Sequence, residues 1–136
     1  MSESGRLIQR YYDAFNRGDW AAMLECLDAE VAHDLNQGPR ETGRDAFRQF
    51  LERMDRSYVE RLADIVILPS ADGCRVAAEY TVHGEYRATD EGLPPATGQR
   101  YVLPGGAFFD VAEGRITRVT NYYNLQEWLR QVGAEV

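Results

Sequence analysis

The chain changes its hydrophobic rhythm once, near its middle. In the first half, apolar residues recur every three or four positions. Leu7, Ile8, Tyr11, Tyr12 and Phe15 form one such stripe, which predicts an amphipathic helix stopped by Asn16 and Gly18. Trp20, Met23, Leu24 and Leu27 continue it on a second, shorter helix that Asp19 can cap. Glu30 to Leu35 alternates enough for a short strand, and Asn36-Gln37-Gly38-Pro39 breaks it. Thr42, with Asp45 three residues on, predicts the start of a third helix bearing Ala46, Phe47, Phe50, Leu51 and Met54.

In the second half the period becomes two. Leu62 to Leu68 is apolar and β-branched, and Ala71-Asp72-Gly73 is a hairpin signal. Val76 to Tyr86 alternates strictly, so this strand has one buried face and one wetter face. A Gly/Pro-rich loop covers Thr89 to Gly98. Arg100 to Val111 and Arg115 to Tyr123 are two more strands joined by Ala112-Glu113-Gly114, and Asn124 with Glu127 caps a last helix. Helices segregated ahead of an antiparallel meander predict the α+β class, as a curved antiparallel sheet wrapped around the N-terminal helices into a cone. The open end of such a cone is a small-ligand pocket. No repeat or linker divides the chain, which predicts a single domain over residues 1–136.

Charge and composition narrow the partners. The net charge is −7 and the cations are scattered arginines without any lysine, which argues against a nucleic-acid surface. No apolar stretch reaches membrane-spanning length and the first residues lack a signal pattern, so a cytoplasmic protein with no membrane partner is expected. Cys26 and Cys74 read as buried free thiols. The only histidines are His33 and His83, and no cluster has ligand spacing, so neither metal nor cofactor is expected.

The residues Ile8-Gln9-Arg10-Tyr11, Asn16-Arg17-Gly18-Asp19, Asp34, Gly43 and Phe50, with the strand Tyr80 to Tyr86 and the turn Gly114-Arg115-Ile116, carry a family resemblance. The chain resembles Δ5-3-ketosteroid isomerases of the nuclear transport factor 2-like fold, over nearly its whole length. Its long loop Gly92 to Arg100 resembles that of SnoaL-like polyketide cyclases, which share the fold. With a one-residue deletion in the preceding strand, the resemblance places Asp34 as the general base and Tyr11 as the oxyanion-hole phenol. It aligns Gly106 with the family's protonated acid, whose neutral burial is a worked case for this enzyme. One oxyanion donor would then be missing.

Read without the resemblance, Asp34 fits a solvated strand end or a cap on the Asn36 turn, and Tyr11 fits a core aromatic. His33 and Asp34 are adjacent on a strand and should point to opposite faces, which argues against a His-Asp dyad. Met54, Tyr80, Val82, Leu103 and Phe108 are expected on the inner face of the cone, with Tyr86 and Tyr101 lining it near the loop. Asn121 belongs either to an edge or dimer-face segment or to the ligand-orienting set. A homodimer is expected through the outer face of Arg100 to Tyr123, using Phe109, Val111 and Tyr122. The expected chemistry is cofactor-independent proton transfer next to the carbonyl of an apolar substrate, as in a steroid isomerase. A SnoaL-like cyclase and a non-catalytic binding module are the alternatives.

Overall fold

In a computed structural model, which describes residues 2–133, the elements run α1 (Glu3–Asn16), α2 (Trp20–Glu25), β1 (Leu27–Asp34), β2 (Glu41–Thr42), α3 (Arg44–Ser57), β3 (Tyr58–Pro69), β4 (Arg75–Tyr86), β5 (Gln99–Ala112), β6 (Arg115–Tyr123) and α4 (Leu125–Val132). The strands form one sheet in the order β2-β1-β6-β5-β4-β3. The α+β cone with an antiparallel meander is present. The sheet is mixed, however, because β1 returns beside β6 in parallel.

Local chemistry explains most boundaries. Ser2, Asp19 and Asn124 cap α1, α2 and α4 by accepting the N–H groups of Gly5, Ala22 and Glu127. The expected cap at Thr42 is not made. Thr42 pairs with Ala32 across β1–β2, and Gly43 (φ +104°) begins α3 without a side-chain cap. The β3–β4 turn is held by Asp72, which accepts the Ser70 hydroxyl and the Cys74 N–H. At the β5–β6 turn Glu113 and Gly114 both have positive φ, as a two-residue hairpin loop demands. Strand β3 starts at Tyr58 rather than Leu62, because the partner strand β4 continues to Tyr86 and pairs with it. Leu27 belongs to β1 and not to α2, opposite Ile116.

A bulge between Ala63 and Val66, with Asp64 at φ 55°, resets the phase of β3. Leu62 is buried before it, and Ile65 and Ile67 pack on the core after it, while Val66 and Leu68 are exposed. Asn16, which ends α1, lies against the free edge there. Its amide donates to Leu62 O (2.9 Å) and its carbonyl accepts from Leu62 N (2.8 Å), so both backbone groups are satisfied.

The core fills the space between the inner sheet face, α1 and α3, with Ile8, Leu27, Phe109, Ile116 and Val119 fully buried. This corrects the expected outer-face role of Phe109. The exposed ring is its neighbour Phe108, which meets Tyr122 edge to face at 5.7 Å on the outer surface. Of the two free thiols, Cys26 is buried and Cys74 is exposed, contrary to expectation for the second. Two glycines make room for tyrosine rings. A side chain at Gly84 would sit 2.2 Å from the Tyr101 ring, and one at Gly105 would sit 2.6 Å from the Tyr80 ring.

Candidate active site

A cavity of about 790 Å³ lies between α1, α3, the inner face of the sheet, the loop after β4 and the first turn of α4. That volume is in the range of small-molecule sites. Its apolar wall comes from Phe50, Met54, Leu62, Val82, Leu103 and Trp128. Its polar lining includes the phenols of Tyr11, Tyr12 and Tyr80, the His33–Asn121 pair and Glu60, together with the charged residues Arg53, Asp55, Arg87, Asp90 and Glu91.

His33 comes from the end of β1, in phase with Val31, and both side chains are buried. The imidazole stacks on Phe47 (centroids 4.3 Å apart, 27°) and meets Phe50 edge-on at 4.7 Å. Its Nε2 lies 3.3 Å from the Asn121 amide nitrogen, and Nδ1 is buried with no hydrogen-bond partner among the described residues. Burial pulls the His33 pKa down to about 4, with Arg53 adding to the shift and Asp34 opposing it. The ring is therefore neutral at pH 7. An Asn amide and a neutral imidazole can exchange donor and acceptor roles.

Asp34, expected as the base, is not part of this cavity. The pleat turns it to the outer face, paired in register with Thr120. There Arg40 grips both carboxylate oxygens (2.7 and 3.0 Å) and the Thr120 hydroxyl donates to it at 2.8 Å. These bonds, Arg40 first, hold its pKa at about 2. Arg118 extends the network from Thr120 to Asp110. A carboxylate so engaged is a weak base.

Tyr11 lines the cavity among rings, edge to face with Tyr12 at 5.3 Å and with Phe109 at 5.5 Å. Burial raises its pKa far above the free phenol, so its hydroxyl stays protonated. Tyr12 couples by a side-chain hydrogen bond to Tyr80, whose pKa is pushed up to about 12, chiefly by burial. Met54, Tyr80, Val82, Leu103 and Asn121 also line the cavity. Phe108 does not; it stands on the outer face in register with Ala77 and Thr120. Tyr86 is fully buried behind the wall. Its hydroxyl donates to Pro94 O (2.6 Å) and accepts from Asp90 N (3.0 Å), so it anchors the loop rather than a ligand. Tyr101 is likewise buried, and its hydroxyl donates to Glu60 at 2.5 Å.

Gly106 also faces outward, opposite Glu79, whereas Gly105 lines the cavity. The position aligned with the family's acid is thus one residue off, and the space over Gly105 holds the Tyr80 ring. Sequence reasoning missed His33 and Glu60. His33 was signalled by sharing the parity of Val31. Glu60 shares the parity of Tyr58 and Leu62 but precedes the stretch that reads as strand.

A family model described as SnoaL-like domain matches residues 8–119. The chain belongs to the SnoaL-like domain family. Among solved structures of this kind, a protein from Xanthomonas campestris pv. campestris named as a candidate polyketide cyclase is 66% identical, with 96% of this chain and 97% of that one covered and a TM-score of 0.93. A second candidate polyketide cyclase, from Pseudomonas putida KT2440, is 57% identical, with 96% and 98% covered and a TM-score of 0.94. A Mycobacterium tuberculosis epoxide hydrolase of the LEH-like kind shares the SnoaL-like chain's fold at 19% identity and a TM-score of 0.71, over 96% and 89% of the two chains. No match was found among curated proteins.

Proposed function

We propose that this SnoaL-like protein is a cofactor-independent enzyme that removes a proton next to a carbonyl of an apolar substrate, in cyclase-type carbon–carbon bond formation rather than a steroid double-bond shift. The observation that carries the reading is the neutral, buried His33 held against Asn121 on the wall of a large, mostly apolar cavity. The 66% and 57% identical relatives named as candidate polyketide cyclases support the cyclase over the isomerase. So does the absence of a cavity-facing Asp at the end of β1.

In this mechanism the imidazole accepts the α-proton; the burial that keeps it unprotonated also weakens it as a base, so it needs help in its protonated form. Asn121 holds the ring and stabilises the protonated form by presenting its carbonyl to a ring N–H. Developing negative charge on the carbonyl oxygen is met by a phenol that stays protonated, Tyr11. The aromatic wall excludes water, which strengthens these interactions.

Exchange of the α-protons of β-tetralone in heavy water, followed by proton NMR, tests the reading. A general base contributes about a hundredfold or more, so His33→Gln should lose that much. Asp34→Asn, on the other face, should stay within about twofold. Unchanged exchange in His33→Gln, or an equal loss in Asp34→Asn, overturns the assignment.

A further inference from the structure

Resting on the carbonyl chemistry proposed above, we infer that Glu60, reached by Tyr101 across a glycine gap in β4, is the group that delivers a proton to the acceptor carbonyl, from the wall opposite His33.

The arrangement spans three strands. Glu60 on β3 pairs with Gly84 on β4, and Gly84 pairs with Tyr101 on β5. Any side chain at residue 84 would overlap the Tyr101 ring. Without one, the ring crosses above β4 and donates its hydroxyl to the Glu60 carboxyl at 2.5 Å. Glu60 lines the cavity, and no cation pairs with it among the described residues. A half-buried carboxyl on a largely apolar wall without a cation is poorly suited to stabilising a fold, since its anion is costly there. Burial raises its pKa, and the Tyr101 bond opposes the shift. The titratable groups that feel its charge are the phenols of Tyr80 on β4, Tyr101 on β5 and Tyr123 on β6. Each stays neutral, so among these four groups Glu60 is the one that can gain and lose a proton.

The sheet order puts β1 and β3 on either side of β6, β5 and β4, and the curvature turns both toward one cavity. A double-bond shift needs one base that takes and returns a proton. Ring closure takes a proton from carbon and delivers one to a distant oxygen, which two stations can divide between them. His33 takes a proton from the carbon next to one carbonyl, and the released electron pair forms the new bond to a second carbonyl carbon. The π pair of that second carbonyl moves to its oxygen, which takes the proton of Glu60. One proton is removed and one delivered, and solvent carries a proton from the His33 imidazolium back to Glu60. No oxidant or reductant is consumed.

Two probes separate the stations: β-tetralone exchange, which needs only the base, and closure of a cyclohexanedione bearing an oxobutyl arm to its bicyclic ketol, which needs both. Glu60→Gln should lower closure about a hundredfold more than it lowers exchange, whereas His33→Gln should lower both alike. A carbon-13 NMR titration of labelled glutamates reads Glu60 independently of turnover. One carboxyl should titrate above the ordinary range, vanish in Glu60→Gln and move further up in Tyr101→Phe, which removes the bond favouring the anion. Equal losses of closure and exchange in Glu60→Gln, or a Glu60 carboxyl titrating in the ordinary range, would overturn the donor role. Wild-type protein inert toward both probes, or undiminished exchange in His33→Gln, would instead overturn the carbonyl reading on which it rests.

Discussion

At the end of β1, His33 and Asp34 stand one residue apart and on opposite faces of the sheet. The inner face surrounds the imidazole with Phe47 and Phe50 and offers it a single amide, so burial decides its state and the ring is neutral. The outer face surrounds the carboxylate with Arg40 and Thr120, so charge-assisted hydrogen bonds decide its state and it stays ionised. By residue type, the aspartate is the more obvious base. By position, only the histidine can meet a ligand in the cavity. The same contrast separates Gly105 from Gly106 and Phe109 from Phe108, the inner member of each pair carrying the cavity or the core.

Acid is the strongest way to break this contrast. The folded His33 value of about 4 lies below the unfolded value of 6.5. Between those values the unfolded chain binds more protons, so stability is fully present above pH 6.5 and is lost as the pH falls toward 4. The loss amounts to up to about 3 kcal/mol. Urea unfolding at a series of pH values should show it in the wild type and not in His33→Gln; equal slopes in the two would place His33 outside the buried inner face.

A methyl group sharpens the contrast at the glycine pair. Gly105→Ala should cost about 1–3 kcal/mol, because the added carbon falls on the Tyr80 ring and forces it off its position. Gly106→Ala meets only the Ala78 carbonyl oxygen, at 3.3 Å, and should cost less when the two variants are compared by thermal melting. The reverse order would mean that the faces of β5 are misassigned.

The smallest effect concerns the outer face itself. Phe108 and Tyr122 expose a joined aromatic pair there, 45% and 52% accessible, which suits a second copy of this chain. Sedimentation velocity should find a dimer, and Phe108→Glu should weaken it about tenfold. A wild-type monomer at micromolar concentration would remove that proposal without touching the cavity.

Much of the frame was legible in the residues. The stripe of Leu7, Ile8, Tyr11 and Tyr12, the caps at Asp19 and Asn124, and the turns at Gly73 and Gly114 are local features, and each appears where its chemistry asks. Several errors about the site share one form, a slip of one residue: Asp34 for His33, Gly106 for Gly105, Phe108 among the inner residues and Phe109 among the outer; Tyr86 and Tyr101 instead have the right parity but are buried behind the wall. Tyr101, Leu103 and Phe108 cannot share a face on an unbroken strand, and the β4–β5 register runs without interruption from Arg75–Asp110 to Tyr86–Gln99. Parity alone could have excluded Phe108. It could not have shown that β1 joins β6 in parallel.

Hydrophobic spacing, capping residues and turn residues act over a few positions, and they determined the helices, the meander and the existence of a cone. Which face each strand turns inward depends on irregularities at Leu27–Ala32 and Ala63–Val66 and on partners far along the chain. A one-residue shift in a strand exchanges its two faces completely. Only the folded sheet therefore decided that His33 and Glu60, rather than Asp34, stand where water is scarce and a ligand can lie.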